Sequence, residues 1–307
     1  MKVTVTGATG LIGSRLVREL KARGDEVAVL SRDPDRAREA LGVEAHRWDP
    51  EREPAPAEAL NGRGAVVHLA GENVAQRWSA DAKRRIRESR ELGTRNLVAG
   101  LRAADPRPRV LVSSSAVGYY GPHGDEPLPE DTPPGVDFLA GVCVCWEREA
   151  QAAEELGLRV TRVRTGVVLD REGGALGRML PFFKAGIGGP VAGGRQRMPW
   201  VHAGDVVGIV LAALGDERYS GPLNATAPAP VTNREFSRAL GRALRRPAFA
   251  PVPGFAVRLL YGDMAEIVTE GQNAVPHRLR ELGYAHQHTD LDEALRSALD
   301  TGGPDGP

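Results

Sequence analysis

The sequence predicts an α/β fold, in which a doubly wound parallel sheet is followed by a smaller, mostly helical C-terminal lobe. Three observations predict this fold. Short runs of β-branched residues alternate with amphipathic segments through the first half of the 307-residue chain, a glycine-rich turn joins the first run to the first helical segment, and helical patterns dominate after residue 228. Such alternation is typical of βαβ units, whose parallel sheet carries helices on both faces.

Six segments are predicted to be the strands of this sheet. Each is a short apolar or β-branched run: Lys2–Thr6, Glu26–Leu30, Glu44–Trp48, Ala65–Leu69, Arg109–Ser113 and Arg159–Thr165. Between the first two, Ile12, Leu16 and Leu20 recur at four-residue spacing and form the apolar face of a helix. A longer helix is predicted from a cap at Ser79 to about residue 104.

Two segments interrupt the alternation. Residues 121–135 are rich in proline and acidic side chains, so we expect a surface loop there. Residues 172–197 are rich in glycine, and we expect a flexible crossing segment. After it, a short strand, a cap at Asp205 and an apolar helix return the chain to the sheet.

The remainder of the chain defines the lobe. Helices are predicted in the stretches NREFSRALGRAL and FAVRLLYGDMAEIV and near Leu291–Leu299, with a frayed end at residues 301–307. We therefore divide the chain into a sheet domain, residues 1–170 plus 198–227, and a substrate-side lobe, residues 171–197 plus 228–307.

Composition excludes several classes of function. Lys plus Arg and Asp plus Glu both number 40, so the formal charge is zero and nothing indicates a nucleic-acid partner. No apolar run approaches the roughly 20 residues of a membrane helix, and the first residues lack the apolar core of a secretory signal. We expect a cytoplasmic protein that acts on a small molecule; a homodimer, paired through a helix such as residues 79–104, stays open.

The two cysteines indicate no metal site. Cys143 and Cys145 form a C-x-C pair that is too closely spaced for an unstrained disulfide and lacks a second ligand pair for zinc. We interpret both as packing residues.

The glycine-rich turn carries the most information. Gly7, Gly10 and Gly13 stand between the first strand and the first helix, which is the context of a Rossmann-like dinucleotide site. Gly7 permits a tight turn, Gly10 lets the backbone approach a pyrophosphate, and Gly13 lets helix and strand pack closely. The start of the helix, with Leu11 and Ile12, offers free N–H groups and a positive dipole end to the anion.

The end of the second strand indicates which dinucleotide binds. An NAD site places Asp or Glu there to bind the ribose hydroxyls, whereas this chain has Ser31 and Arg32. A hydroxyl and a guanidinium suit a 2′-phosphate, so the residues favour NADP(H) over NAD(H). Arg36 adds a second positive charge or is simply an exposed helix residue.

Matches along nearly the whole chain resemble the extended short-chain dehydrogenase/reductase superfamily, and more closely its atypical branch of NAD-dependent epimerase/dehydratase-like, or sugar-nucleotide epimerase-like, proteins. The matching stretches are GATGLIG, SRDP, HLAGENVAQRW, the SR of RESRELGTRNL, SSSAVGYYG, FLAGVCVCWE, PWVHAGDVVG and GPLNATAPAPVTNREFSRAL. The resemblance implies an NADP(H)-binding oxidoreductase or epimerase with a C-terminal region of its own.

The resemblance also implies further cofactor contacts. Leu69, Ala70 and Gly71, at the end of the fourth strand, would lie under the ribose, and Arg90 would face the same crevice, where it binds phosphate or organises the loop after Gly71. The alternatives are that Leu69 and Ala70 belong to the core and that Arg90 is a helix-surface charge.

The catalytic pattern of the superfamily is only half present. Its chemistry uses a serine or threonine after the fifth strand and a Tyr-x-x-x-Lys on the next helix, where the lysine lowers the tyrosine pKa. Ser115 is the best match for the serine and Ser114 the second. On the helix, however, Leu139 and Cys143 stand where the tyrosine and the lysine should be.

Tyr119 and Tyr120 are the nearest phenols, and they either act as acid or orient substrate, or pack near the cofactor. His202 has the side chain of a general base, but we interpret it as part of a hinge. Two functions remain: a reductase or epimerase in which Ser115 polarises a carbonyl or hydroxyl, and a module that binds or senses NADPH without turnover.

Overall fold

Seven parallel strands form the central sheet of the computed structural model, which describes residues 1–300 apart from the side chains of residues 260 and 261. The described residues also form short strand pairs outside this sheet. All the strands, in chain order, are β1 (Lys2–Thr6), β2 (Glu26–Ser31), β3 (Glu44–Arg47), β4 (Ala65–His68), β5 (Val110–Ala116), β6 (Pro127–Leu128), β7 (Arg159–Thr165), β8 (Val167–Leu169), β9 (Arg197–Met198), β10 (Trp200–His202), β11 (Gly221–Ala225), β12 (Val231–Thr232) and β13 (Asn273–Ala274). The order across the sheet is β3–β2–β1–β4–β5–β7–β11. The predicted doubly wound, Rossmann-like parallel sheet is therefore confirmed.

All six predicted strands are present, with ends that differ by up to three residues. The largest difference concerns β5, which continues to Ala116 because Ser114, Ser115 and Ala116 pair with the last three residues of β7. Ser114 and Ser115 therefore lie inside a strand and not after it. The seventh strand, β11, was not predicted as a strand.

The helices are α1 (Leu11–Ala22), α2 (Pro34–Leu41), α3 (Ala80–Ala103), α4 (Phe138–Gln151), α5 (Gly174–Lys184), α6 (Ala203–Gly215), α7 (Asn233–Leu244), α8 (Gly254–Tyr261), α9 (Glu266–Thr269), α10 (His277–Glu281) and α11 (Leu291–Leu299). The Ser79 cap of α3 is confirmed, since its hydroxyl accepts a hydrogen bond from the Ala82 N–H. No helix among the described residues is both long and apolar enough to span a bilayer. The prediction for residues 301–307 lies outside the described residues.

The predicted cap at Asp205 is wrong. His202 caps α6, and its Nδ1 accepts a hydrogen bond from the Gly204 N–H. Asp205 is fully buried and accepts hydrogen bonds from the backbone N–H groups of Gln287 and His288. It therefore joins α6 to the C-terminal segment.

Both interrupting segments contain regular structure. Residues 172–197 hold α5, whose Leu176, Leu180 and Phe183 are buried, so the prediction of a flexible segment is wrong there. The glycines around α5 conceal this helical spacing. Residues 121–135 hold β6, which pairs with β13 and thereby ties this loop to the C-terminal segment.

The core divides between the two faces of the sheet because neighbouring side chains of a strand point to opposite faces. On β4, Ala65 and Val67 pack against the side that carries α1 and α6, whereas Val66 packs against the side that carries α3. A third cluster joins the lobe to the sheet domain, because α5, α7 and α11 pack with β8 around Phe236 and Trp200.

The strand order reverses between β1 and β4. The connections from these two strands leave toward opposite faces, so a crevice opens at their carboxyl ends, where ligands of such sheets bind. This position selects the region to search for a site.

Replacing Phe236 by alanine tests the core of the lobe. Its side chain is 1% exposed, so Phe236→Ala is expected to lower the free energy of unfolding by about 3–5 kcal/mol. Phe255→Ala is the matched control, because that ring is 77% exposed and its loss should cost less than about 0.5 kcal/mol. Urea unfolding measures both values, and equal losses would contradict the assigned core.

Candidate functional site

The turn after β1 has glycine at the three positions where a Cβ would meet neighbouring backbone. Gly7 has a φ of 67°, and a Cβ there would lie 2.7 Å from the Leu69 carbonyl carbon. A Cβ on Gly13 would lie 2.2 Å from the Gly7 carbonyl oxygen, and one on Gly10 3.2 Å from the same oxygen. The three glycines therefore allow α1 to begin directly against the end of β1 and beside β4.

The start of α1 is an uncompensated positive helix end. Gly10 caps it without a side-chain hydrogen bond, and no acidic residue lies in its first turn. The first N–H groups of a helix have no acceptor within the helix, and the macrodipole adds partial positive charge there. This end of α1 suits an anion such as a pyrophosphate.

A buried hydrogen-bond network holds the loop after β4 against the turn. The Thr6 hydroxyl accepts hydrogen bonds from the N–H groups of Leu69 and Ala70, both at 3.2 Å. Its own proton then points to His68 Nδ1, which lies 2.7 Å away. His68 is therefore the neutral tautomer with its proton on Nε2, and it donates to the Thr94 hydroxyl at 3.1 Å. Burial, with a smaller effect of the Arg90 charge, lowers the pKa of His68 to about 4.

A cleft of about 290 Å³ opens at the carboxyl ends of β1, β4 and β5. Its lining combines the glycine turn with apolar side chains and a few polar ones: Gly7, Gly10, Leu11, Ile12, Gly13, Leu69, Arg90, Val112, Ser114, Ser115, Ala116, Trp146, Val163, Thr165, Val206 and Val210. The structure thus brings the glycine turn, Leu11, Ile12, Leu69, Arg90 and the two serines together in one cleft.

Arg90 organises the loop after Gly71 and also lines the cleft. Its Nη1 donates hydrogen bonds to the Glu72 and Ile86 carbonyl oxygens at 3.0 and 3.1 Å, and its guanidinium lies 4.9 Å from the centroid of the Trp146 ring. A Cβ on Gly71 would lie 3.2 Å from that guanidinium. The buried indole N–H of Trp146 has no acceptor among the described residues.

Ser115 and Ser114 present different groups to the cleft. The Ser115 hydroxyl donates to the Glu147 carboxylate at 2.7 Å. That carboxylate also accepts two hydrogen bonds from Arg164, at 2.8 and 2.9 Å, and an ionised carboxylate only accepts. The Ser115 proton is thereby committed, and its oxygen offers lone pairs. Ser114 forms no side-chain hydrogen bond within residues 1–300, so its hydroxyl is free to donate.

The two tyrosines pack around Arg164 and do not line the cleft. The Tyr120 hydroxyl donates to Asn224 at 2.7 Å and accepts from Arg164 at 3.0 Å, and burial raises the pKa of Tyr120 to about 12. The centroid of the Tyr119 ring lies 3.5 Å from the Arg164 guanidinium carbon. The hydroxyl of Tyr120 thus has both of its partners inside the core.

Helix α4 carries Leu139 and Cys143 at the positions where the superfamily has tyrosine and lysine. Its next turn contributes Trp146 and Glu147 to the site. Leu139 packs with Trp78 and Ile86. Cys143 is buried, and burial, reinforced by the Glu147 charge, raises the pKa of its thiol to about 12. A neutral thiol cannot replace the charge of a lysine.

The end of β2 presents Ser31 and Arg32, and the next carboxylate along the chain, Asp33, caps α2. The Ser31 hydroxyl donates to the Asp33 carbonyl oxygen at 3.0 Å, and the Asp33 carboxylate caps α2 by accepting from the Arg36 N–H. The side chains of Arg32 and Arg36 are exposed and form no hydrogen bond or ion pair within the described part of the chain. Two positive charges are therefore available beside this strand.

Sequence reasoning missed the network of Thr6, His68 and Thr94 and the pair of Glu147 and Arg164. A signal existed for both, because His68 ends an otherwise apolar run and Arg164 lies near the end of a central strand. Buried polar residues in such strands require partners, but the sequence does not identify the partners.

A glycine-rich βα turn at the reversal point of a doubly wound sheet, beside a cleft at the carboxyl ends of the strands, defines the Rossmann class of nucleotide-binding domains. Comparison with known proteins is more specific: the chain belongs to the NAD dependent epimerase/dehydratase family, whose sequence profile matches residues 3–224. A domain of unknown function, DUF1731, matches residues 252–298.

Relatives match over almost the full chain. An epimerase family protein of Mycobacterium bovis, Mb2239, is 41% identical, over 95% of this chain and 96% of its own length. A chloroplastic homolog of the epimerase family protein SDR39U1, from Arabidopsis thaliana, is 40% identical, over 97% of this chain and 87% of its own length. The crystal structure of human SDR39U1 with NADPH is 36% identical and superimposes with a TM-score of 0.87, over 97% of this chain and 99% of that one.

Gly13→Ala tests the close approach of α1 to β1. The added methyl group would overlap the Gly7 carbonyl, so we expect a loss of about 2–3 kcal/mol in the free energy of unfolding. Gly215→Ala is the control, because a Cβ there meets nothing within 4 Å and alanine favours a helix by up to about 1 kcal/mol. Urea unfolding of the two variants distinguishes them, and a neutral Gly13→Ala would disprove the packing argument.

The network under the turn predicts a pH dependence. The folded-state pKa of His68, about 4, lies below its unfolded value of about 6.5, so its contribution to stability is complete above pH 6.5 and is lost as the pH falls toward 4. The loss amounts to about 3 kcal/mol. Unfolding measured from pH 7 to pH 4 should show a flatter profile for His68→Gln, whose amide accepts and donates but does not titrate. The exposed control His277→Gln should keep the original slope; parallel profiles for all three proteins would refute the assignment.

Proposed function

We propose that the protein binds NADP(H) and acts as an oxidoreductase or epimerase of the extended short-chain dehydrogenase/reductase type on a small polar substrate. The observation that carries the proposal is the cleft itself, which is lined by the glycine turn, a free serine hydroxyl and a half-buried arginine. The bound NADPH in the structure of the human relative supports the same cofactor here.

The described residues fit a dinucleotide. Gly7, Gly10 and Gly13 leave a cradle that a Cβ would fill, and the start of α1 would hold the pyrophosphate. The backbone of Leu69 and Ala70, held by Thr6, would pass under the ribose. The orphaned indole N–H of Trp146 marks a further place for a ligand acceptor. A nicotinamide dinucleotide, when bound, supplies a hydride donor or acceptor.

Arg32 supports the choice of NADP(H). Its guanidinium can form charge-assisted hydrogen bonds with a 2′-phosphate, and Ser31 lies beside it. The nearby carboxylate of Asp33 lies beyond the end of β2 and is held at the start of α2, where one of its oxygens accepts from the Arg36 N–H.

Ser114 and Ser115 have different hydrogen-bonding roles toward the substrate. Ser114 donates a hydrogen bond to a substrate carbonyl or hydroxyl oxygen, whereas Ser115, whose proton is held by Glu147, accepts one from a substrate hydroxyl. Arg90 favours a substrate with a polar or negative group near the cofactor. The proton that accompanies hydride transfer comes from the substrate's own hydroxyl, since the Tyr119 ring packs on Arg164 away from the cleft lining and the Tyr120 hydroxyl is engaged in the core.

A second function has its own support. Leu139 and Cys143 replace the acid–base pair of the superfamily, and the Cys143 thiol stays protonated because of its burial. A protein that binds NADPH and signals its presence to a partner needs the cradle but no proton donor.

Calorimetric titration with NADPH and NADH tests the cofactor, and loss of NADPH absorbance with aldehydes, ketones and nucleotide sugars tests turnover. Binding with turnover supports the enzyme. Binding without oxidation of NADPH by any of these substrates supports the second function, and no heat with either dinucleotide overturns both.

Arg32→Ala tests the choice between the two dinucleotides. Removing one charge-assisted contact to the 2′-phosphate should weaken NADPH binding about tenfold and leave NADH binding unchanged. Arg18→Ala, which removes another exposed arginine, should change neither. Calorimetry gives both affinities, and an equal loss for NADPH and NADH would show that Arg32 does not read the phosphate.

A further inference from the structure

A second cavity, of about 620 Å³, lies in the C-terminal lobe and shares no lining residue with the cleft at the glycine turn. One wall is α7 and the residues that follow it, and the other is the loop before β9. Its lining is Pro190, Gly193, Arg234, Arg238, Gly241, Arg242, Arg245, Arg246, Ala248, Phe249 and Pro251. We call this cavity the arginine groove.

Five arginines converge on the arginine groove. Arg234, Arg238 and Arg242 follow one another at four-residue spacing and so lie on one face of α7, and Arg245 and Arg246 extend the row. Like charges at this spacing destabilise a helix. In a chain with zero formal charge, five exposed arginines on one surface form a local concentration of positive charge.

The protein supplies only part of the counter-charge for these arginines. Arg242 pairs with Asp292 at 2.7 Å, and Arg234 donates to the Gly193 carbonyl oxygen at 2.8 Å. The side chains of Arg238, Arg245 and Arg246 form no hydrogen bond or ion pair among the described residues.

Two further carboxylates lie near these arginines. Glu235 interacts with the Arg238 charge, but its carboxylate accepts from the N–H and hydroxyl of Thr232 at the start of α7. Asp290 lies near Arg242, and its carboxylate caps α11 by accepting from the Glu293 N–H. Neither neutralises Arg245 or Arg246, so the groove keeps a net positive charge.

The backbone around the groove is fixed in place. A Cβ on Gly241 would lie 2.5 Å from the Ala248 Cβ, so the chain after α7 folds back tightly onto the helix. The opposite loop is held by the Asn233 side chain, which accepts from the Val191 N–H at 2.8 Å.

Arg245 adds an independent sign of constraint. It ends α7 in the left-handed conformation, with a φ of 53°, at a position where glycine or asparagine is usual. A residue that lines the cavity thus occupies a backbone conformation that disfavours its side chain.

The chemistry of the groove selects its ligand. Guanidinium groups bind phosphate oxygens in pairs of hydrogen bonds, and three unpaired ones match the several charges of a di- or triphosphate. Phe249 lies at the rim with its ring 81% exposed, which is a surface on which a nucleobase can stack. The volume is that of a small-molecule site. We propose that the arginine groove binds a nucleoside di- or triphosphate.

The test titrates the full-length protein with ATP and with inorganic tripolyphosphate by calorimetry, in the presence of one equivalent of NADPH to fill the glycine-turn site. The variants are Arg238→Gln with Arg246→Gln, and Phe249→Leu. Arg18→Gln with Arg102→Gln is the matched control, because it removes the same charge from two exposed arginines outside the groove.

We expect one equivalent of ATP to bind, the groove pair to weaken both probes about tenfold or more, and the control pair to leave affinity within about twofold. Phe249→Leu should weaken ATP about fivefold and leave tripolyphosphate unchanged. NADPH affinity should stay constant in all variants. No ATP binding at millimolar concentration, or equal losses in both pairs, would overturn the proposal. Tighter binding of an octaglutamate peptide than of ATP would assign the groove to an acidic protein segment and also overturn it.

Discussion

The Thr6 hydroxyl is the interaction on which the cleft depends. It accepts two backbone hydrogen bonds from the loop after β4 and donates one to His68, so a single side chain joins the glycine turn to the neighbouring strand. The glycines of the turn have no side chains with which to hold its shape. The buried network of Thr6, His68 and Thr94 therefore holds the geometry of the turn, and its hydrogen bonds are all satisfied only while His68 is neutral. The glycine turn can expose its backbone to a ligand because these buried polar groups hold it in place.

The second constraint is the pair of Glu147 and Arg164. Burying two charges is costly unless each keeps its hydrogen bonds, and here both are almost fully enclosed and directly bonded. Through Ser115 on one side and the two tyrosines on the other, the pair decides which hydroxyls near the cleft have a free proton. Leu139 and Cys143 stand on α4 where the superfamily pattern has tyrosine and lysine, and the next turn of the same helix carries Glu147 of this ion pair.

Much of this protein could be predicted from its sequence. The six strands, the capped helix α3 and the glycine turn all followed from local periodicity and spacing, which depend on neighbouring residues. The predictions that failed concern α5, the cap of α6 and β11. Flanking glycines concealed α5, and β11 lacks a continuous apolar run. The cap of α6 is His202 and not Asp205, because the Asp205 carboxylate binds the backbone of residues 287 and 288. The same reason applies to the site, where Ser114 and Ser115 look equivalent until Glu147, 32 residues from Ser115, is seen to hold one proton.

The pairing of β6 with β13 limits how the C-terminal portion can be exchanged between homologues. Asn224 of β11 strengthens this pairing, because its amide donates to the carbonyl oxygens of Leu128 in β6 and of Val275, the residue that follows β13. The C-terminal portion is thus stitched to a loop that lies some 150 residues earlier in the sequence. A chimera that exchanges this portion between homologues must therefore also exchange the loop of residues 121–135 that pairs with it.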